Sequence, residues 1–193
     1  MHGRRIGSDA GCGGFGLVQC IDFKAELRDL EVARRQCSLS GFVRIGVLEQ
    51  TDRYFRLPDG RLKQRSAPGE PIEWLFYHRP NRISPKMSTF TILSDEQARR
   101  RWGAHSLHHW LTVRKTRELW MQGAARIHLD TVVDLGNFIE FEALVSRSHD
   151  VRECHMMIAE LRDCFGLVLG EPISVGYCDL VQQLEDLGLT EAG

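Results

Sequence analysis

Arg126, His128 and Asp130 alternate in the run Arg126-Ile127-His128-Leu129-Asp130, and Glu140 and Glu142 alternate shortly after, in Asn137-Phe138-Ile139-Glu140-Phe141-Glu142. On a strand, side chains two apart share a face. Each segment therefore gathers charge on one face and Ile127, Leu129, Ile139 and Phe141 on the other. The pattern recurs with Asp22 and Lys24, with Arg61, Lys63 and Arg65, with Tyr77 and Arg79, and with Lys115 and Arg117 beside Val113. A single charged face is ordinarily solvated surface. Six of them predict a barrel whose interior is the charged face. Crowded cations repel one another unless an anion neutralises them, and Arg forks and Lys point charges suit phosphate oxygens. Asp22, Asp130, Glu140 and Glu142 do not bind phosphate directly, but they can hold a hard divalent cation, Mg²⁺ or Mn²⁺, that bridges to it. Cations and carboxylates in one lumen imply a polyphosphate with its metal.

The elements that would position these groups follow from periodicity and punctuation. Strands are expected over 17–24, 42–48, 52–57, 61–66, 72–79 and 87–93, and again over 110–121, 124–133 and 137–145. Pro58-Asp59-Gly60 and the segment from Val133 to Gly136 read as turns. Helices are expected over 29–39, capped by Asp29, over 94–103, with Ser94 and Gln97 at capping-box spacing, over 150–165, and over 177–187. The fold class expected is α+β: a closed antiparallel eight-stranded β-barrel, a tunnel, with flanking helices. Residues 1–16 read as a loose tail, 17–187 as the tunnel domain and 188–193 as a second tail.

Composition narrows the partners. A chain of 193 residues suits one domain. A net charge of −1 supplies no global field for a nucleic-acid polymer, and no apolar run approaches the roughly 20 residues of a membrane span. The partner expected is a small phosphate ester or polyphosphate, and the compartment expected is the cytoplasm. Six cysteines without a Cys-x-x-Cys pair read as reduced thiols, with Cys20 on the lumen face. The glycine run at 11–16 lacks the Lys-Ser/Thr of a phosphate loop and reads as linker. His105, His108 and His109 have no further metal ligands nearby and read as a solvated connection. Trp74, Phe76 and Trp120 read as barrel-wall packing.

Six motifs in order resemble the CYTH domain of the triphosphate tunnel metalloenzymes. They are Asp22-Phe23-Lys24-Ala25; Gln50-Thr51-Asp52-Arg53-Tyr54-Phe55; Gly60-Arg61-Leu62-Lys63-Gln64-Arg65; Tyr77-His78-Arg79-Pro80; Val113-Arg114-Lys115-Thr116-Arg117; and the long run from Arg126 to Glu142. Lys86, Ser88 and Phe90 loosely fit a further basic-then-Ser-x-aromatic stretch, and Tyr177-Cys178-Asp179-Leu180 a Tyr-x-Asp-Leu. The family opens with Glu-x-Glu-x-Lys. Here Cys20 replaces the first carboxylate, a poor exchange for a hard cation, and Asp22 reaches one methylene less far than Glu.

The resemblance implies roles. Lys24, Lys63, Arg65, Lys115 and Arg117 would act on the phosphate chain, with His128 as proton carrier or further donor. Tyr54, Arg61, Tyr77, Arg79 and Arg126 would bind substrate, and Asp22, Asp130, Glu140 and Glu142 would hold Mg²⁺ or Mn²⁺. The family includes class IV adenylate cyclases, thiamine triphosphatases and inorganic tripolyphosphatases. The activity implied is a metal-dependent phosphohydrolase. The alternatives are a cyclase or lyase releasing diphosphate, of adenylate cyclase or terpene cyclase type, and a sensor that binds without turnover. Oligomeric state is not implied.

Overall fold

The computed structural model describes residues 16–58, 60–78, 81–103 and 107–188. Arg79, His105, Cys12, the tail through Phe15, and 189–193 of the second tail lie outside those residues. In chain order the elements are β1 (Gly16–Leu27), α1 (Leu30–Leu39), β2 (Val43–Arg56), β3 (Arg61–Ser66), β4 (Glu73–His78) and β5 (Lys86–Ser94). Then come α2 (Asp95–Trp102), β6 (His109–Gln122), β7 (Ala125–Val132), β8 (Gly136–Leu144), α3 (Val151–Cys164), β9 (Leu169–Pro172) and α4 (Tyr177–Asp186).

The sheet runs β5-β4-β3-β2-β6-β7-β8-β1-β9, and β1 also pairs with β5, so eight antiparallel strands close into a barrel. Closure rests on β1, which meets β8 in the register Asp22↔Glu142 and Lys24↔Glu140, and β5 with Asp22↔Lys86. The expected closed barrel with flanking helices is what the chain forms.

Two element boundaries differ from expectation. The strands expected at 42–48 and 52–57 are one fourteen-residue strand, β2. Glu49-Gln50-Thr51 contains no turn-forming residue, and β6 pairs along it from Val43 to Phe55. Between the helix expected to end at 165 and the one expected from 177 no strand was expected, but Leu169–Pro172 forms a short one, β9, that pairs with the C-terminal end of β1.

Alternation explains why the outer face is buried where helices cover the barrel, whereas Val43, Ile45 and Val47 of β2 stay exposed. Ile21, Phe23 and Ala25 of β1 point outward with Ile127, Leu129, Ile139 and Phe141, and pack against Ala33 and Cys37 of α1 and Cys154, Ile158 and Leu161 of α3. Each large apolar side chain buried there contributes about 1.5–3 kcal/mol. A second outer cluster sets Phe55, Leu62, Trp74 and Leu93 against Ala98 of α2. Trp74 and Trp120 are thus wall packing, with Phe76 packed against the same outer cluster. The helix caps form as the residues dictate: Asp29 accepts from Val32 N, and Ser94 and Gln97 make a reciprocal capping box, as do Asp150 and Glu153.

Candidate active site

The inward faces meet in one lumen with two chambers. The first, about 120 Å³, is walled by Asp22, Lys24, Lys63, Lys115, Glu140 and Tyr177 among others. The second, about 180 Å³, includes Gln50, Arg126 and His128. Arg65, Leu75, Phe90, Arg117 and Glu142 line both. Sequence alternation thus placed Asp22, Lys24, Tyr54, Lys63, Arg65, Tyr77, Lys115, Arg117, Glu140 and Glu142 in the first chamber. Cys20 lines it too, almost fully buried.

Two carboxylates hold the cations in position. Asp52 accepts from Arg65 through two bonds, 2.7 and 2.8 Å, and from Lys63 Nζ at 2.9 Å. Asp52 sits opposite Arg65 in the β2–β3 register, so one cross-strand pair sets the whole triad. Asp130 accepts from Arg117 Nε at 2.7 Å and Nη2 at 2.6 Å, and from the Tyr177 hydroxyl at 2.8 Å. Lys115 Nζ lies 3.4 Å from the same carboxylate. These flanking cations hold both carboxyls well below the ordinary Asp value, against the opposing effect of burial. Burial, with Arg65 beside it, lowers the Lys63 ammonium to about 8. Burial and Arg117 likewise press Lys115 down.

Asp130, expected as a metal ligand, is fully buried, lines neither chamber and accepts from Arg117, Lys115 and Tyr177. One ligand atom each from His128, Glu140 and Glu142 lie within 4.8 Å of one another. His128 Nδ1 is 3.6 Å from Glu140 and 3.8 Å from Glu142, too far for hydrogen bonds, and this buried atom has no hydrogen-bond partner among the described residues. Burial, then Arg117, lowers the imidazole's proton affinity, which keeps it neutral and able to ligate. Asp22 faces Glu142 across the strand pair and accepts the Ser88 hydroxyl. An orphaned nitrogen among carboxylates fits a divalent cation.

Gly176 and Tyr177 bring the start of α4 to the first chamber. Tyr177 packs with Tyr54, Leu111, Val113, Val132 and Phe138 in a buried cluster. Its ring lies 3.8 Å from Lys24 Nζ and 5.1 Å from Lys115 Nζ. Arg61, expected to bind substrate, bonds Asp179 at 2.7 Å and so joins β3 to α4. Arg126, expected among the phosphate donors, lines the second chamber. Lys86 is buried and donates to the carbonyls of Arg82 at 2.6 Å and Ser174 at 3.2 Å, which ties the approach to α4 against β5. His108 and His109 are exposed, and His109 bonds Thr112 at 3.0 Å; among the described residues they join no metal cluster.

Sequence reasoning missed Asp52 and Tyr177 as site residues. Both lay inside motifs that had been singled out. Asp52 alternates with Gln50 and Tyr54, which was a usable signal; the inward turn of Tyr177 depends on where α4 docks and leaves no periodic trace.

Comparisons with known proteins agree with this geometry. A family model for the CYTH domain matches residues 21–161. No curated protein matches the chain. Among solved structures, the PH1012 protein of Pyrococcus horikoshii superposes with a TM-score of 0.69 at 20% identity, covering 83% of this chain and 98% of that one. A putative adenylate cyclase of Vibrio parahaemolyticus gives 0.67 at 14% identity, covering 89% and 99%. A putative adenylyl cyclase of Hippeastrum, whose structure is said to reveal a dominant triphosphatase activity, gives 0.55 at 13%, covering 89% and 97%. These likenesses establish a shared barrel. With the matched family model spanning most of its length, the chain belongs to the CYTH domain family.

Proposed function

We propose that this protein is a divalent-cation-dependent hydrolase of triphosphates. The observation that carries the reading is the convergence of Lys24, Lys63, Arg65, Lys115 and Arg117 on one chamber that also holds Glu140 and Glu142. Five cations and three carboxylates, Asp22 being the third, line the chamber, and with Asp52 and Asp130 behind them the charges balance, which suits a polyphosphate that arrives with its divalent cation. Arg65 and Arg117 are fixed as forks by Asp52 and Asp130, and so need little reorganisation when charge develops on the phosphate oxygens. Lys24 and Lys115 flank the Tyr177 ring and receive the terminal phosphate. Glu140 and Glu142, with His128 Nδ1 and Asp22 beside them, are the groups that hold the cation. When bound, Mg²⁺ or Mn²⁺ neutralises phosphate charge and orients the chain for attack by water. The protein's share is positioning, since phosphoryl transfer leaves little covalent work to side chains.

The test is an end-point panel of tripolyphosphate, ATP, thiamine triphosphate and a prenyl diphosphate, each with Mg²⁺ and Mn²⁺ and each with EDTA. Phosphate release that EDTA abolishes is the expected result. Diphosphate with a cyclic or eliminated organic product would replace hydrolysis by cyclase or lyase chemistry. A ligand-induced rise in melting temperature without any product would mean a sensor.

The pH dependence follows from Lys63. Its ammonium must stay charged to meet phosphate, and it loses its proton near pH 8 in the free protein. We expect kcat/KM to be sustained below that pH and to fall as pH rises through it, because this ratio reports groups of the free enzyme. Lys63→Arg is expected to shift that alkaline limb upward. A limb unmoved in Lys63→Arg assigns it to another group.

A further inference from the structure

We infer that the first half of β2 is a docking edge at which two copies of this chain associate, each pairing its β2 antiparallel with that of the other.

Closing a barrel removes strand edges only over the lengths that are paired. β2 pairs with β3 from Thr51 to Arg56, and β3 ends at Ser66. From Val43 to Gln50, β2 pairs with β6 alone among the described residues. Its other edge there carries backbone donors and acceptors that no described strand meets. Val43 is 62% exposed, Ile45 40% and Val47 45%. No proline or lysine blunts this stretch. Leu39, 83% exposed, extends the apolar surface, since with Arg44 and Trp120 it borders one groove on the outer wall. Exposed apolar side chains beside an open strand edge suit the addition of a further strand.

The edge's own sequence selects the occupant. Along β6, Arg44 faces Trp120, Gly46 faces Leu119, Val47 faces Glu118, Leu48 faces Arg117 and Glu49 faces Thr116. Ile45 is the extra residue of a bulge between Arg44 and Gly46. Arg117 points into the lumen, so Thr116, Glu118 and Trp120 point outward, and so do Glu49, Val47 and Arg44 opposite them. The contacts agree: Arg44 Nε is 3.3 Å from Glu118, and Glu49 accepts from the Thr116 hydroxyl at 3.0 Å.

A cation and an anion therefore stand on one face at equal ladder distance from Val47. Residues directly opposed in an antiparallel pair share a face. A two-fold axis at Val47 sets Arg44 of each copy against Glu49 of the other, Gly46 against Leu48, and Val47 against its own counterpart. Both charge pairs form at once, as an isologous contact requires. A slip by one residue would oppose outward to inward side chains and lose both pairs. A strand from another protein would have to supply this pattern, whereas a second copy carries it by symmetry.

The test is sedimentation velocity of the full chain at rising concentration. Wild type is expected to dimerise with a dissociation constant of about 1–100 μM. Arg44→Glu alone opposes carboxylates at both pairs, and Glu49→Arg alone opposes guanidiniums; each is expected to weaken the dimer by about tenfold or more. Mixed in equal amounts, the two variants regain opposite charges at both pairs, and a heterodimer close to wild-type affinity is expected. Thermal melts check that each variant is folded. Val47→Lys, which brings two ammonium groups together on the axis, is the independent variant if a charge reversal fails to fold, and it is expected to abolish the dimer. A wild type still monomeric at about 1 mM overturns the inference and leaves the Ile45 bulge as the device that keeps this edge unpaired. A dimer that none of these substitutions weakens, or folded reversal variants that stay monomeric when mixed, overturns it as well.

Discussion

Glu140→Gln is expected to lower kcat on the preferred triphosphate by about 10²–10³-fold, the range seen when one preorganised electrostatic group is removed from a site. Glu140 stands at the junction of three functions. Its carboxylate is 3.3 Å from Lys24 Nζ, 3.1 Å from Arg117 Nη2 and 3.6 Å from His128 Nδ1. The amide keeps the shape and removes the charge, so cation affinity falls while the barrel wall is preserved. One negative charge also leaves a lumen crowded with cations. Metal-free binding of tripolyphosphate is therefore expected to tighten even as turnover collapses. Steady-state rates over a Mn²⁺ titration and calorimetry in EDTA check the two halves separately. Retention of kcat within about threefold would remove Glu140 from the cation site.

Asp130→Ala is expected to destabilise the fold by about 3–5 kcal/mol, the cost of leaving a buried partner uncompensated. This is a large share of a typical ~5–15 kcal/mol of net stability. The substitution leaves Arg117 with Glu140 as its remaining ion-pair partner among the described residues, takes from Lys115 its nearer countercharge, and removes the acceptor of the Tyr177 hydroxyl. Urea unfolding should show the midpoint falling without a change of slope. Adding Arg117→Met to Asp130→Ala should recover part of the loss, because the stranded charge goes too. A single variant within about 1 kcal/mol of wild type would mean that water enters beside Arg117.

The same carboxylate sets an acid limit. Its proton affinity in the fold lies below the ordinary value of 3.8, as does that of Asp52. The stabilisation from each is full above about pH 4 and is lost as pH falls below it through the lower folded values. Asp130→Asn should flatten this acid slope in urea midpoints taken between about pH 2 and pH 5.

Much of this site was legible because alternation decides the face of a strand. Lys63 and Arg65, or Lys115 and Arg117, had to point the same way whatever the register. What alternation leaves open is depth along the lumen and the partner across it. Arg126 and His128 share a face with Asp130, yet Asp130 is fully buried against Arg117, while Arg126 and His128 line the second chamber. Arg61 shares a face with Lys63 and Arg65, but it lies nearest the barrel's end, within reach of Asp179, 118 residues away. Such pairings come from barrel stagger and from the docking of α4, which no local pattern encodes. The continuous β2 was missed for a simpler reason: Glu49 and Gln50 interrupt the apolar signal, although one is a surface residue and the other faces the lumen.

The pairing of β1 with both β8 and β5 has a consequence for how the chain reaches this state. β1 is made before either partner, and its neighbour β8 ends at Leu144. During synthesis, the meander from β2 to β5 and the hairpins of β6, β7 and β8 have their partners close behind them, whereas β1 waits 64 residues from Asp22 to Lys86 of β5 and 116 from Lys24 to Glu140 of β8. Loop-closure entropy makes such late, distant pairing slow. Until β1 docks, the lumen is an open trough in which Lys24, Asp22 and Glu140 are still hydrated. The dehydration of the charged interior is thus concentrated in the final closing step. Phosphate or polyphosphate in the refolding buffer should speed that step, because the anion offsets the repulsion that the last strand must otherwise overcome.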